Sequence, residues 1–160
     1  MVQKVGKGLT LVYTSTGMIE IYRDFDMKKI TSFENADGNK VTCASGSSQY
    51  IFLGLSDKTV GVYQMSEQDE SCSIVKKVKL IGVPECMTVV RDKMCAVGLR
   101  GGNATGYAVI YFKEKFKVEH KMSSTSKNPD PSKPASDIVQ IVGEQTKSGF
   151  VCVTSAPIAM

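Results

Sequence analysis

The stretch VTCASGSSQYIFLGLSDKTVGVYQ, residues 41–64, decides the fold. A short run, VTCA, precedes a small polar turn, and the run YIFLGL then leads into a second turn, SDKT. A last run ends in an aliphatic–aromatic pair, Val62-Tyr63. Val, Ile, Tyr and Phe favour β-strands, and Gly, Ser and Asp are typical of the turns between them. The stretch therefore predicts three short strands joined by tight turns.

The same pattern occurs three times along the chain. The copies are LTLVYTSTGMIEIYRD (9–24), YIFLGLSDKTVGVYQM (50–65) and KMCAVGLRGGNATGYAVIYFKE (93–114). Each contains an aliphatic–tyrosine pair, and the tyrosines Tyr22, Tyr63 and Tyr111 are 41 and 48 residues apart. A period of about 40–45 residues with four short strands per unit is typical of a β-propeller. No window shows the apolar spacing of an amphipathic helix.

Shorter runs supply the remaining strands of each repeat. Outer strands are predicted at 28–33, 73–80 and 116–121, and inner strands at 40–44, 85–90 and 137–142, with a last strand at 150–154. The sequence therefore predicts an all-β chain of thirteen strands, in blades at about 1–34, 40–80, 85–121 and 137–160. Residues 122–136, MSSTSKNPDPSKPAS, have the composition of a mobile surface loop.

Residues 41–64 resemble a WD40 repeat. The Gly-His pair and the Trp-Asp dipeptide of that family are missing, and Val62-Tyr63 stands where Trp-Asp would. The resemblance implies a propeller-like array of four-stranded antiparallel blades. The competing fold is an all-β sandwich or barrel, which also has short strands at regular spacing.

The predicted strand order does not close a ring. Propellers have four to eight blades, whereas this order gives about three, with the inner strand missing from the first blade and the two outer strands from the last. Either the chain is an excerpt of a longer propeller protein, or a partner chain or a second copy completes the sheet. Unpaired edges attract other strands. The chain is therefore expected either to self-associate through residues 9–14 or Phe150–Thr154, or to be poorly soluble.

The composition fits an intracellular globular protein. The net charge is +4, from 20 Lys and Arg against 16 Asp and Glu, and no apolar run is long enough to span a membrane. The start of the chain lacks the apolar region of a secretory signal. The five cysteines are scattered, which is typical of free, buried thiols rather than a disulfide framework. We expect a cytoplasmic location, with the nucleus as the alternative.

The sequence predicts no enzyme, no cofactor and no metal site. The single histidine, His120, lies in the lysine-rich run EKFKVEHKM and is predicted to be a surface residue. The acidic residues fall mainly in loops, without a paired base or nucleophile. The segment GLRGG (98–102) lacks the Lys-Ser/Thr of a phosphate loop. It is faintly similar to the Arg-Arg motif of phosphoinositide-binding propellers, but Gly101 replaces the second arginine, so no lipid site is transferred.

The family resemblance implies a protein–protein interaction scaffold. On the family pattern, two sets of loops share one rim of the ring: 15–17, 56–58 and 99–106 between the second and third strands, and 34–39, 81–84 and 122–136 between blades. Loops on a rigid scaffold often carry recognition. The candidate partner-binding residues on this rim are Asp57, Lys58, Arg100 and Asn103. Tyr22, Tyr63 and Tyr111 are expected to pack between blades.

The alternative function is binding to an anionic surface, either nucleic acid or a phosphoinositide. Two lysine clusters suggest it, Lys76, Lys77 and Lys79 in one run and Lys113, Lys115 and Lys117 in another. Both clusters are predicted to lie on the solvated faces of strands. Loss of affinity between low and moderate salt would distinguish this function from protein binding.

Overall fold

The computed structural model describes residues 2–5, 8–14, 17–34, 39–66, 68, 71–100, 105–123, 138–143 and 150–154. These residues form β-strands and one single-turn 3-10 helix at Phe112–Glu114. The strands are β1 (Val2–Val5), β2 (Leu9–Tyr13), β3 (Met18–Arg23), β4 (Lys29–Glu34), β5 (Val41–Gly46), β6 (Tyr50–Leu55), β7 (Thr59–Ser66), β8 (Ser71–Lys79), β9 (Val83–Val90), β10 (Met94–Arg100), β11 (Thr105–Tyr111), β12 (Lys117–Ser123), β13 (Ile138–Gly143) and β14 (Phe150–Thr154).

The strands form antiparallel sheets in chain order. Blade 1 consists of β1–β4, blade 2 of β5–β8 and blade 3 of β9–β12, and β13 pairs with β14 in a further sheet. The inner strands β1, β5, β9 and β13 lie next to one another, so each chain crossing runs from the outer strand of one blade to the inner strand of the next. This is the arrangement of a propeller, in which blades stack face to face around an axis.

The first blade is more complete than the sequence predicts. β1 pairs with β2 from Val2 opposite Val12 to Val5 opposite Leu9. The prediction that this blade lacks its inner strand is therefore wrong, as is the total of thirteen strands, because the described residues contain fourteen. The strand is four residues long and contains Gln3 and Lys4, which is too short and too polar for a strand signal. Since β3 pairs along the other edge of β2, residues 9–13 offer no free edge.

The second strand of blade 2, β6, is covered on both faces. Ile51, Leu53 and Leu55 are at most 4% exposed and pack in an apolar cluster with blade 1. Phe52, which points the other way, is fully buried in a second cluster with blade 3. A strand buried on both faces reads as a near-continuous apolar run. The core of the protein therefore lies between the blades rather than within one sheet.

Aromatic rings pack against each other in both of these junctions. The rings of Tyr63 and Phe33 are 5.1 Å apart across the junction of blades 1 and 2, and Phe52 stacks on Phe112 at 4.9 Å in the next junction. Tyr63 thus packs between blades, as predicted. Tyr22 and Tyr111 are half-buried and their hydroxyls donate to a glutamate of their own sheet, Glu20 at 2.8 Å and Glu119 at 3.3 Å respectively. For these two tyrosines the described contacts lie within one blade.

The strand pairing also corrects the alignment of the third repeat. Ile51 lies opposite Tyr63, and Cys95, which faces blade 2 as Ile51 faces blade 1, lies opposite Ile110. Ile110 rather than Tyr111 is therefore the structural counterpart of Tyr63. A shift of one residue moves a side chain to the other face of a strand.

The structure confirms the predicted burial of two cysteines but not the predicted strand position of two lysines. Cys43 and Cys95 are buried, Cys72 and Cys86 are half-buried, and none of the four is in a disulfide. The side chain of Cys152 lies outside the described residues. Lys113 and Lys115 were predicted to lie in a strand. Lys113 lies instead in the 3-10 helix, and Lys115 lies in the turn between that helix and β12. Lys115 adopts a positive φ of 54° there, which reverses the chain direction and so explains the difference.

Candidate functional site

The candidate site lies on the rim where β6 turns into β7 and where β8 crosses to β9. We call this the turn rim. The first connection is the tight turn at residues 56–58, and the second is formed by residues 80–82. Asp57 and Lys58, two of the predicted partner-binding residues, are both in this turn. The structure therefore brings them together on the side of blade 2 that the sequence predicts.

The backbone of the turn is held from both sides. The Ser56 N–H donates to the Lys40 carbonyl at 2.9 Å, and the Lys40 N–H donates to Ser56 Oγ at 3.1 Å. The Lys58 carbonyl accepts a hydrogen bond from the Leu80 N–H at 2.8 Å. Lys58 has a φ of 65°, in the left-handed region. The turn is thus tied to the start of β5 and to the end of β8, and its conformation is set before any partner arrives.

Asp57 is the centre of a polar network in this turn. Its carboxylate accepts hydrogen bonds from Thr59 Oγ1 and from Asn39 Nδ2, the latter at 3.1 Å, and pairs with Lys77 Nζ at 3.1 Å. Burial raises the pKa of Asp57, but the hydrogen bonds from Thr59 and Lys77 and the charge of Lys77 outweigh it and lower the pKa overall. Asp57 therefore stays ionised and mainly orders its neighbours.

A recess of about 410 Å³ opens beside this network. Its lining is basic and consists of Asp57, Lys58, Thr59, Lys77, Lys79 and Leu80. Lys58 and Lys79 are exposed, and no carboxylate in the described ranges pairs with either of them. Ile81, the next residue after Leu80, is 55% exposed. The recess therefore combines three ammonium groups, one of them already neutralised, with the apolar side chain of Leu80.

Arg100 lies on the same rim of blade 3. It ends β10, pairs with Val83 at the start of β9, and its Nε lies 3.3 Å from Glu85 Oε2. The side chain remains 53% exposed, so this ion pair is a surface contact of small energetic value. The fourth predicted residue, Asn103, lies outside the described residues.

A second, smaller recess lies on the opposite rim, between blades 1 and 2. It has a volume of about 260 Å³ and is lined by Val5, Leu9, Ser47, Ser48, Gln49, Tyr50, Ile51 and Met65. None of these residues carries a charge, so the two rims of blade 2 differ in chemistry. The opposite rim is therefore a suitable control for binding at the turn rim.

Comparisons with known proteins place this architecture. No family model matches the sequence, and no curated protein gives a significant match. The structure of RRP9 WD40 repeats is similar to it with a TM-score of 0.52 and 9% identity, over 59% of this chain and 32% of that one. The structure of U3-55K gives the same TM-score and identity, over 59% and 33% of the two chains. The fold is that of a partial WD40 β-propeller.

A further similar structure is that of Kuenenia stuttgartiensis hydrazine synthase. It has a TM-score of 0.65 and 12% identity, over 84% of this chain and 35% of that one. The propeller chain thus spans about a third of each of these chains. At such low identity the likeness concerns the fold alone, and the chemistry of this propeller has to be argued from its own residues.

The sequence analysis did not predict the recess beside Asp57. Lys77 and Lys79 are solvated, as predicted, but their position beside Asp57 depends on strand pairing, with Thr59 opposite Lys79 and Gly61 opposite Lys77. A β-bulge at Val75 shifts this register, because Lys76 pairs with Val62 whereas Ile74 pairs with Tyr63. The signal that could have located the recess is the pairing of β8 with β7, the strand that follows the SDKT turn.

His120 has a structural position in this propeller rather than the surface position expected. It is half-buried, and its Nε2 accepts a hydrogen bond from the Ile81 N–H at 3.3 Å. Burial lowers its pKa, which keeps the ring neutral and able to accept. His120 therefore ties β12 to the connection between blades 2 and 3.

The residues that the structure describes include no group of three or more His, Cys, Asp or Glu arranged to hold a metal ion. Within the same ranges, no helix has the length and apolar character needed to cross a bilayer.

Proposed function

We propose that this propeller is a non-catalytic scaffold that binds protein partners through the turn rim. The observation that carries the proposal is the basic recess at residues 56–58, whose backbone is fixed by hydrogen bonds to Lys40 and Leu80. Binding residues are often found on loops that a rigid framework positions. A turn that is already ordered loses little conformational entropy when a partner binds.

The chemistry of the recess favours an acidic side chain from the partner. Lys58 and Lys79 project around a space large enough for a carboxylate-bearing residue, and Asp57 is already paired with Lys77. Leu80 in the lining offers apolar contact, and exposed Ile81 follows it in the chain. Arg100, a residue type enriched at interface hot spots, extends the basic surface to blade 3. We assign Lys58 and Arg100 as contact residues, Asp57 as the residue that positions Lys77, and Asn103 as a further contact.

The second candidate is an anionic surface such as nucleic acid or a phosphoinositide headgroup. The same lysines favour it, because Lys binds phosphate as a point charge. The two functions differ in their dependence on salt. Neutralising several phosphates gives a steep loss of affinity with rising salt, whereas one acidic side chain in a mixed polar and apolar contact gives a shallow one.

Further blades or a second copy are proposed from the share of the similar structures that this chain covers. The chain spans about a third of the structures it resembles, and we propose that further blades or a second copy continue the array beyond β14. We also propose an intracellular location, in the cytoplasm or nucleus, because none of the four described cysteines is in a disulfide.

Site-directed photo-crosslinking in cells tests the scaffold function. A photo-crosslinking amino acid is placed at position 58 or 100 on the turn rim, and at position 49 on the opposite rim as a matched control. Gln49 is also exposed and lines the other recess. We expect crosslinks to a defined protein from positions 58 and 100 and none to it from position 49. Equal crosslinking from both rims, or loss of the product after nuclease treatment, would contradict protein recognition at this site.

A further inference from the structure

The outer strand of blade 2 differs from the other outer strands. β8 spans nine residues, Ser71–Lys79, whereas β4 has six and β12 has seven. Two of the exposed large apolar side chains, Ile74 at 56% and Val75 at 45%, lie on β8. None lies on β4 or on residues 117–120 of β12. The longest outer strand is thus also the one with an exposed apolar centre.

β8 is held firmly along its inner side. It pairs with β7 from Thr59 opposite Lys79 to Ser66 opposite Ser71. Val78 is buried in the junction with blade 3, and Cys72 packs against the junction with blade 1, where burial raises the pKa of its thiol to about 11. Lys76 Nζ donates to the Lys115 carbonyl of blade 3 at 3.1 Å. The strand therefore presents a fixed backbone edge.

The other edge of β8 is open to addition. In the described ranges the sheet order is β5-β6-β7-β8, so no strand pairs with the outer side of β8. An exposed strand edge carries backbone donors and acceptors that a further strand can use. Main-chain hydrogen bonds give such an added strand its affinity, and alternate side chains give it specificity.

The charge of β8 indicates which kind of strand can pair with its outer edge. The strand carries Lys76, Lys77 and Lys79 and no acidic residue. A second copy of β8 would bring three further lysines to this edge with no acidic residue to offset them, and the mutual repulsion disfavours self-pairing. An extended segment that combines acidic and aliphatic residues would instead pair with the lysines and cover Ile74 and Val75.

We propose that β8 is a second docking surface, which binds an extended acidic–aliphatic segment of a partner protein as a fifth strand of blade 2. This surface goes beyond the turn rim, and its binding does not require Lys58 or Arg100. The proposal joins the open edge, the exposed apolar centre and the uniform positive charge of one strand.

The test uses the purified protein and a fluorescein-labelled peptide of alternating Glu and Val with the length of β8. We expect saturable binding by fluorescence anisotropy, and about tenfold or greater weakening by Ile74→Glu, which adds a repelling charge to the edge. The matched control is Ser32→Glu on β4, also an exposed residue of an outer strand, and it should bind as the unchanged protein does. Circular dichroism confirms that both variants are folded.

Two further peptides test the backbone contact itself. They carry N-methyl groups on alternate residues, in the two alternate phases, so that each lacks the donors on one edge. In strand addition at least one of them loses binding. If both bind as well as the parent peptide, the association is electrostatic only and the proposal is overturned. Self-association of the peptide-free protein that Ile74→Glu abolishes would overturn it too, because the occupant would then be a second copy.

Discussion

Gly54 and Cys43 lie opposite each other in neighbouring strands, and a Cβ added to Gly54 would lie 2.6 Å from Cys43 Sγ. The same Cβ would lie 2.7 Å from Pro84 Cβ of blade 3. Only glycine therefore lets the inner strand of blade 3 approach β6 this closely. The Gly at the end of the YIFLGL run sets the distance between two blades.

Substitution Gly54→Ala is expected to lower the free energy of unfolding. Extra atoms in a filled core force backbone shifts that cost about 1–3 kcal/mol. The measurement is the midpoint of urea unfolding, with Ser73→Ala on the exposed strand β8 as control. An unchanged midpoint for Gly54→Ala would mean that blade 3 is not seated against β6 as described.

Substitution Phe52→Ala should be much more destabilising than Lys115→Ala. Phe52 is fully buried and stacked on Phe112, so its loss should cost about 3–5 kcal/mol. Lys115 is an exposed turn residue, and its replacement should stay within roughly 0.5 kcal/mol. Denaturant unfolding followed by circular dichroism compares the two, and equal effects would contradict the junction between blades 2 and 3.

Asp57 should make stability depend on pH in the acidic range. Its pKa in the folded protein is lowered from the ordinary value of 3.8. The folded state then binds fewer protons, so the stabilisation is fully present above that value and is lost as the pH falls through the folded pKa. Asp57→Asn should therefore be less stable than the unchanged protein at pH 7, with the difference narrowing below about pH 4. Parallel curves from pH 7 to pH 3 would contradict the network.

Cys43 and Cys95 should resist alkylation in the folded protein. Burial raises the pKa of the Cys43 thiol to about 12 and that of Cys95 well above its ordinary value. The reactive thiolate is therefore nearly absent at pH 8, and access is blocked as well. Mass spectrometry after iodoacetamide treatment should find both residues modified only in denaturant. Modification of either one under native conditions would show that a blade junction opens.

β14 should promote self-association, as the sequence analysis predicts. In the described ranges it pairs with β13 on one edge only, whereas the predicted edge at residues 9–13 is already paired on both sides. Sedimentation at tens of micromolar should show dimers or larger species. Val153→Pro, which removes a backbone donor, should reduce them. A stable monomer would mean that β14 finds its partner within the chain.

The internal repeat was enough to predict the fold from the sequence, but not every strand of that fold. Strong runs such as YIFLGL and the SDKT turn located β6 and β7, because both faces of a middle blade are apolar. The strand β1 was not predicted because it has only four residues, and two of them, Gln3 and Lys4, are polar. The alignment of Tyr111 with Tyr63 failed because strand parity depends on pairing, which the letters alone do not fix.

The candidate site was predictable only in part. Asp57 and Lys58 follow from the turn that the repeat identifies. Lys77 and Lys79 come from a strand about twenty residues further along, and a bulge at Val75 sets which of them reaches the turn. The bond between His120 and Ile81 joins two blades and leaves no local signal in the sequence.

Each blade is built from four consecutive strands, which affects the order of events during synthesis. Blade 1 can pair all its strands once residue 34 has left the ribosome, since domains fold as units while the chain grows. Its apolar face, with Leu11, Ile19 and Ile21, stays uncovered until β6 and β7 of blade 2 arrive. The nascent chain thus passes through a stage in which this hydrophobic surface is bare, and such a surface is prone to aggregation.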